Sequence, residues 1–354
     1  MATVLKGELV ASKVYDSAEP VKLQFVLTNR GDVDLYVLKW YTPLEGLNSD
    51  CLTVTRNEKG KVTYDGPMIK RGNPGPDDYI LIPAGGTVTA DVNVSESYSV
   101  SKPADYQVEL NIQALEHVPA PAAAKKNAVL AQAKASPQLQ ALTTGKTKFK
   151  VTKGSLQLPT RGEAARKVSE TMAKAKSTGA DASVGAAVAA AGLLPPIISG
   201  GTATQQAAAK QAHKDGFKLC ETALAGLANN ARYKEWFGAH TATRFNQVKA
   251  VLTKIRDRMK TVTFTYDLSG SGCQSGWYAY THKGDTTIWF CGQFWAAPAT
   301  GTDSKAGTMV HEHSHSDAKT DDVTYGTANA RSLAISNPNQ AVKNADNYEY
   351  FAGG

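Results

Sequence analysis

Hydrophobic and polar positions alternate with a period near two through much of the first third of the chain, most clearly over residues 21–28, 35–40, 53–56 and 107–112. These stretches are enriched in β-branched residues and are separated by turn-forming clusters, so they predict short antiparallel strands. Their spacing suits an all-β, immunoglobulin-like sandwich. Residues 118–145, rich in Ala, Pro, Lys and Gln, interrupt the alternation and read as an inserted loop or helix before strands resume at 146–151 and 155–158.

The period then lengthens. Apolar positions recur at helical spacing over 203–237 and 243–259, followed by an alternating stretch at 261–268. A hairpin is expected from strands at 277–282 and 286–290 around Lys283, Gly284 and Asp285, with further helices at 308–316 and 339–351. The second half therefore reads as α+β. Between the halves, 161–201 is Ala-, Gly- and Lys-rich and contains Pro195, Pro196, Gly200 and Gly201, the composition of a mobile connector. The expected organisation is a β domain over 1–160, a linker over 161–201 and a second domain over 202–354.

Composition narrows the class. A chain of 354 residues with 42% hydrophobic and 20% charged content has enough apolar material for two packed cores and excludes a largely disordered protein. The net charge of +7 is carried by scattered lysines, not by a basic arm or helix, so nucleic acid is not an expected partner. No run approaches the length of a membrane span. The first ten residues lack the basic and apolar regions of a leader peptide, so a secreted protein would have lost its leader. Of four cysteines, none forms a CxxC pair; Cys273 and Cys291 flank the expected hairpin and are the favoured disulfide, with the pairing of Cys51 and Cys220 left open.

Chemistry concentrates near the C-terminus. His311, Glu312 and His315 form H-E-x-x-H, and four helical residues advance about 400°, which places both imidazoles on one face, able to share an ion. Glu312, beside the first imidazole, is positioned to take a proton from a water at that ion. His313 falls about 200° round the helix from His311 and is expected to point away. A catalytic zinc site wants a third protein ligand, and Asp317, Asp321 and Asp322 follow within a few residues. A set of carboxylates alone would equally suit helix caps or a calcium site.

The segment Gly307-Thr308-x-x-His311-Glu312-x-x-His315, followed by Thr320-x-Asp322-x-x-Tyr325-Gly326, resembles the paired signature of the aspzincins, the deuterolysin family of zinc metalloendopeptidases. The resemblance covers about 205–351. It implies a zincin-like catalytic domain holding one Zn²⁺ per chain, with His311, His315 and Asp322 as ligands, Glu312 as general base and Tyr325 as oxyanion donor. The spacer after His315 is short, so Asp321 remains an alternative ligand. Asp346 and Glu349, three apart beside aromatic residues, resemble the acidic pair that lines the S1′ pocket of peptidyl-Lys metalloendopeptidases and selects lysine after the cleaved bond. On composition alone the same pair would be an ordinary solvated helix face.

A β domain preceding such a protease is expected to be a pro-domain, an intramolecular inhibitor removed by proteolysis, with self-cleavage an available route. Lys167, Lys174 and Lys176, with Lys125, Lys126 and Lys134 in the insertion, are the candidate cleaved or inhibitory lysines. Expected partners are protein or peptide substrates, and the expected form is a secreted monomer. Two alternatives are a permanent substrate- or surface-binding β module and a non-catalytic, metal-stabilised adhesin.

Overall fold

The computed structural model describes residues 4–120, 129–131, 133, 137–153, 158–177 and 193–353, with the backbone alone for 172–177. The chain forms two compact units: Met1–Gly66 with Pro74–Glu163, and Pro67–Asn73 with Ala164–Gly354. The short segment Pro67–Asn73 therefore packs with the second unit although it lies within the sequence of the first.

The strands in chain order are β1 (Leu5–Ala11), β2 (Val14–Asp16), β3 (Lys22–Asn29), β4 (Leu35–Leu38), β5 (Leu52–Arg56), β6 (Gly60–Val62), β7 (Met68–Arg71), β8 (Tyr79–Ile82), β9 (Thr87–Asn93), β10 (Ala104–Pro119), β11 (Gln138–Thr143) and β12 (Thr147–Thr152). All but β7 belong to the first unit. One sheet has the order β1-β3-β9; a larger one runs β2-β12-β10-β4-β8, with β5 and β11 also paired to β10 and β6 paired to β5. Among the described strands of this unit, pairing is antiparallel except between β2 and β12. In β3 the alternation is plain: Leu23, Phe25 and Leu27 are buried, while Lys22 and Gln24 are exposed.

The insertion expected over 118–145 differs in the structure. β10 continues to Pro119, and β11 pairs back onto it from Asn111↔Thr143 to His117↔Gln138. Polar residues on β10, such as Asn111 and Gln113, mask this alternation in the sequence. Residues 121–128 and 134–136, including Lys125, Lys126 and Lys134, lie outside the described residues, as do 154–157.

The second unit adds β13 (Ile197–Ser199), β14 (Thr265–Asp267), β15 (Trp277–Thr281) and β16 (Thr287–Phe290). The helices are α1 (Arg161–Ser177), α2 (Ala203–Ala225), α3 (Ala231–Phe237), α4 (Ala242–Thr261), α5 (Gly292–Ala296), α6 (Lys305–Ala318), α7 (Thr327–Ser336), α8 (Pro338–Ala341) and α9 (Ala345–Gly353). The sheet order is β13-β14-β16-β15-β7. β15 and β16 form the expected hairpin, and Cys273 and Cys291 are disulfide-bonded across its base. Cys51 and Cys220 are buried free thiols.

The expected linker is partly regular. Its first part is helix α1, started by a reciprocal cap in which the Thr160 hydroxyl accepts from the Glu163 amide and the Glu163 carboxylate accepts from the Thr160 amide. Its end supplies β13, and 178–192 lie outside the described residues. The strand expected at 261–268 shortens to β14 because α4 runs on to Thr261.

α6 lies between two cores. Val310 packs with Trp236, Phe237, Leu252, Ile255, Tyr348 and Phe351, whereas Met309 packs with Phe264, Tyr266, Ile288, Phe290 and Phe294. Gly216 on α2 permits this enclosure, since a Cβ there would lie 2.6 Å from the Met309 Cβ. From Ala306 to Asp317 every residue of α6 is buried. A soluble helix normally keeps a polar face in water, so each polar side chain here must find its partner inside the protein.

Candidate active site

α6 begins at Ser304, whose hydroxyl accepts from the Gly307 amide at 2.9 Å, and ends at Lys319, which adopts a left-handed conformation at φ 61°. The reversal at Lys319 folds the following loop back along the helix. It delivers Asp322 to the two imidazoles: His311 Nε2 and His315 Nε2 are 3.0 Å apart, and Asp322 Oδ1 lies 3.1 Å from the first and 3.2 Å from the second. Both imidazoles are buried, and the Asp322 side chain is 8% exposed. Burial works to raise the Asp322 pKa, but the facing His315 and His311 imidazoles hold it well below the usual carboxylate range.

Two imidazole nitrogens and one carboxylate oxygen converging at this spacing fit zinc, since bonds of about 2.0–2.1 Å at tetrahedral angles put ligand atoms about 3.3 Å apart. Asp322 Oδ1 has no hydrogen-bond partner among the described residues, although it is buried. The outer atoms of the set are held. His315 Nδ1 donates to the Thr320 carbonyl at 3.0 Å, and His311 Nδ1 lies 2.8 Å from Asp346 Oδ1, which leaves both Nε2 atoms for the ion. The Asp322 loop is clamped by Asn344, whose Oδ1 accepts from the amides of Val323 and Thr324. The other two aspartates are engaged elsewhere: Asp321 with Lys283, and Asp317 with Arg258 and His313.

Glu312 is fully buried, and burial pushes its carboxyl up to about 8 despite the nearby His311. His313 turns to the opposite side of α6. There His213 Nε2 donates to the Leu194 carbonyl at 2.9 Å, which leaves Nδ1 to accept from the Tyr266 hydroxyl at 2.6 Å. The Tyr266 oxygen is 2.9 Å from His313 Nε2, and His313 Nδ1 faces Asp317 at 3.1 Å. This buried chain links α2, β14 and α6 and satisfies the polar back of the helix.

Asp346 and Glu349 project from α9, and both are buried rather than solvated. The ammonium between them belongs to Lys70 of β7, with Nζ 3.2 Å from Asp346 Oδ1, 2.8 Å from Glu349 Oε2 and 2.8 Å from Asp303 Oδ1. Three carboxylates thus meet the three N–H bonds of one ammonium. Burial opposes the charge on Lys70, but Asp346, Glu349 and Asp303 hold its pKa well above the ordinary lysine value. Likewise burial works to raise Asp346, yet Lys70 and His311 bring it down to about 2. Tyr350 donates to this cluster, with its hydroxyl 2.9 Å from Asp303 and 3.1 Å from Asp346. Gly307 makes room for Glu349, because a Cβ there would stand 2.7 Å from Glu349 Oε1.

β7 reaches this place by adding antiparallel to the edge of β15, in register Met68↔Thr281, Ile69↔Tyr280, Lys70↔Ala279 and Arg71↔Trp277, with an irregularity before Trp277. The Lys70 amide donates to Glu312 Oε1 at 3.2 Å and the Ile69 amide to Asp322 Oδ2 at 2.7 Å. The Ile69–Lys70 peptide is therefore placed against the candidate base and the ligand set. Tyr325 is buried beside the strand, its ring facing the Arg71 guanidinium.

The lysine in the acidic pocket is thus Lys70 and none of the six lysines singled out in the sequence. Lys167 is exposed on α1, and the side chains of Lys174 and Lys176 lie outside the described residues. Asp303 and Tyr350 were also missed. Lys70 sits in a four-residue strand that nothing local marks, and its partners are hundreds of residues away, with 253 positions separating Ile69 from Asp322. Asp303 carried one signal, its place just before the helix cap.

Comparison with known proteins identifies the family. The family model described as lysine-specific metallo-endopeptidase, aspzincin, matches residues 223–353. An extracellular protease of Aeromonas hydrophila is 33% identical over 355 residues, covering 96% of this chain and 89% of its own. A peptidyl-Lys metalloendopeptidase of Pleurotus ostreatus is 39% identical over 160 residues, covering 43% of this chain and 94% of its own. A solved zinc peptidase from Grifola frondosa is 36% identical, with a TM-score of 0.40, and the match covers 43% of this chain and 96% of that one. A buried H-E-x-x-H helix, an aspartate folded back onto it and a relative aligned over nearly the whole length lead to one assignment: the chain belongs to the aspzincin family of zinc metalloendopeptidases.

Proposed function

We propose that this protein is the latent, secreted form of an endopeptidase that cuts on the N-terminal side of lysine, with one zinc ion per chain. The observation that carries the reading is Lys70: a lysine ammonium fully enclosed by three carboxylates, on an extended strand whose preceding peptide bond lies beside Glu312. His311, His315 and Asp322 would hold the zinc, which when bound would supply Lewis-acid polarisation of the scissile carbonyl and a more nucleophilic water at neutral pH. Glu312 takes the proton of the attacking water and returns it to the leaving amine, at the position where it now accepts from the Lys70 amide. Tyr325 is assigned to the developing oxyanion. Lysine in the S1′ pocket places the bond before it in register for attack.

In the same reading the β unit is an immunoglobulin-like pro-domain, and the second unit is zincin-like. The β7 segment keeps the enzyme latent by filling the substrate path until proteolysis, by the enzyme itself, releases it. Secretion agrees with the extracellular relative in Aeromonas hydrophila and with the lack, among the described residues, of a helix long and apolar enough to span a membrane.

The test is incubation of the zinc-loaded full chain with casein at neutral pH, with and without chelator, followed by mass-spectrometric mapping of the new N-termini. Chelator-sensitive fragments beginning with lysine, absent for Glu312→Gln, are expected. Cuts lacking a lysine at the new N-terminus would overturn the specificity, and equal processing of the Glu312→Gln chain would overturn autocatalysis.

A further inference from the structure

The β7–β15 ladder defines what lies on each side of the Ile69–Lys70 bond. Side chains of an extended strand alternate between faces, so Lys70 enters the acidic pocket while Ile69 and Arg71 share the other face. Ile69 packs there with Trp277 and the Cys291 side of the disulfide. Arg71 lies opposite Trp277 in register and is itself buried at 3% exposure. Its guanidinium carbon is 5.6 Å from the Trp277 ring centre and 5.8 Å from that of Tyr325. Both rings are buried, at 4% and 8% exposure. The next amide, from Gly72, continues the ladder to the Gly276 carbonyl at 2.9 Å.

We infer that Trp277 and Tyr325 form a second specificity subsite, S2′, which reads a guanidinium immediately after the lysine, so that Lys-Arg pairs in extended peptides are the favoured substrates. The inference rests on reading β7 as lying in the substrate path. A cation within about 6 Å of an aromatic face is attracted by the ring quadrupole, and more strongly where water is excluded. Two such rings with an enclosed guanidinium correspond to a preference of about fivefold to thirtyfold. The planar guanidinium stacks on rings more readily than an ammonium does, so the two positions ask for different cations: a point charge in the carboxylate pocket, a flat one between the rings.

Two measurements test it. In the inert full-length Glu312→Gln chain, hydrogen exchange at the amides of 68–72 reports how firmly the strand is held, without any catalysis. Arg71→Met keeps the aliphatic stem and removes the charge, and is expected to speed exchange about fivefold or more, with Arg71→Lys intermediate; unchanged exchange in Arg71→Met overturns the inference. With the activated protein, peptides differing only as Ile-Lys-Arg-Gly and Ile-Lys-Met-Gly are compared by kcat/KM. The first is expected to be cut faster before lysine, with Trp277→Leu bringing the ratio close to one and Trp277→Phe retaining most of it. Equal rates before lysine overturn the S2′ subsite and leave the lysine reading intact, whereas cuts elsewhere overturn that reading and the subsite together.

Discussion

Lys70 is the residue whose replacement should change the protein most. An enclosed ammonium costs several kcal/mol to dehydrate, and here Asp303, Asp346 and Glu349 offset that cost together. Lys70→Met would leave three carboxylates facing one another around an apolar side chain, an arrangement expected to loosen β7 by about 2–5 kcal/mol. In the zinc-loaded full chain, cleavage of an added lysine peptide should then begin at least tenfold sooner than in the parent. Gly307 offers a finer probe of the same pocket. Gly307→Ala would press on Glu349 Oε1 from 2.7 Å, and the expected result is a loss of about tenfold in kcat/KM for lysine peptides while α6 remains folded by circular dichroism. His213 acts on the far side of α6. Burial, with His313 nearby, lowers its pKa to about 4 from an ordinary 6.5. The unfolded chain takes up this proton at the higher pH, so the stabilisation is complete above about pH 6.5 and fades as the pH falls toward 4, a change of about 3 kcal/mol. Thermal melts across that range should show a flatter decline for His213→Gln.

At the scale of elements, the sequence was most legible where spacing is local. The two imidazoles of α6, the hairpin of β15 and β16 and the Cys273–Cys291 pairing rest on positions close along the chain. Their periodicities are strong enough to be read without tertiary knowledge. The acidic pair of α9 was visible as a pair, but its burial was not, because nothing local shows that Tyr350 and Asp303 enclose it. β7 was illegible for a related reason. Its four residues are all buried, so the outward polar positions that mark a half-exposed strand are missing. A basic pair within such a stretch reads as surface until the carboxylates and rings that receive it are known. Helix α1 carries the composition of a linker, and composition describes mobility poorly when a cap such as the Thr160–Glu163 pair is present.

For the whole molecule, a segment of sequence from within the β unit completes the sheet of the catalytic unit. On the proposed latent reading, the strand that finishes the sheet would also be the one that fills the site, so that folding and control of activity would be linked. Departure of β7 has a cost unrelated to catalysis. It would strip β15 of one of its two partners and leave a row of unpaired amides and carbonyls at a sheet margin, the kind of surface that recruits other strands and seeds aggregation. If β7 is released as proposed, the intact chain is the form suited to storage at high concentration. The liberated enzyme should self-associate more readily on standing, and short extended peptides should suppress that association whether or not they contain a bond it can cut.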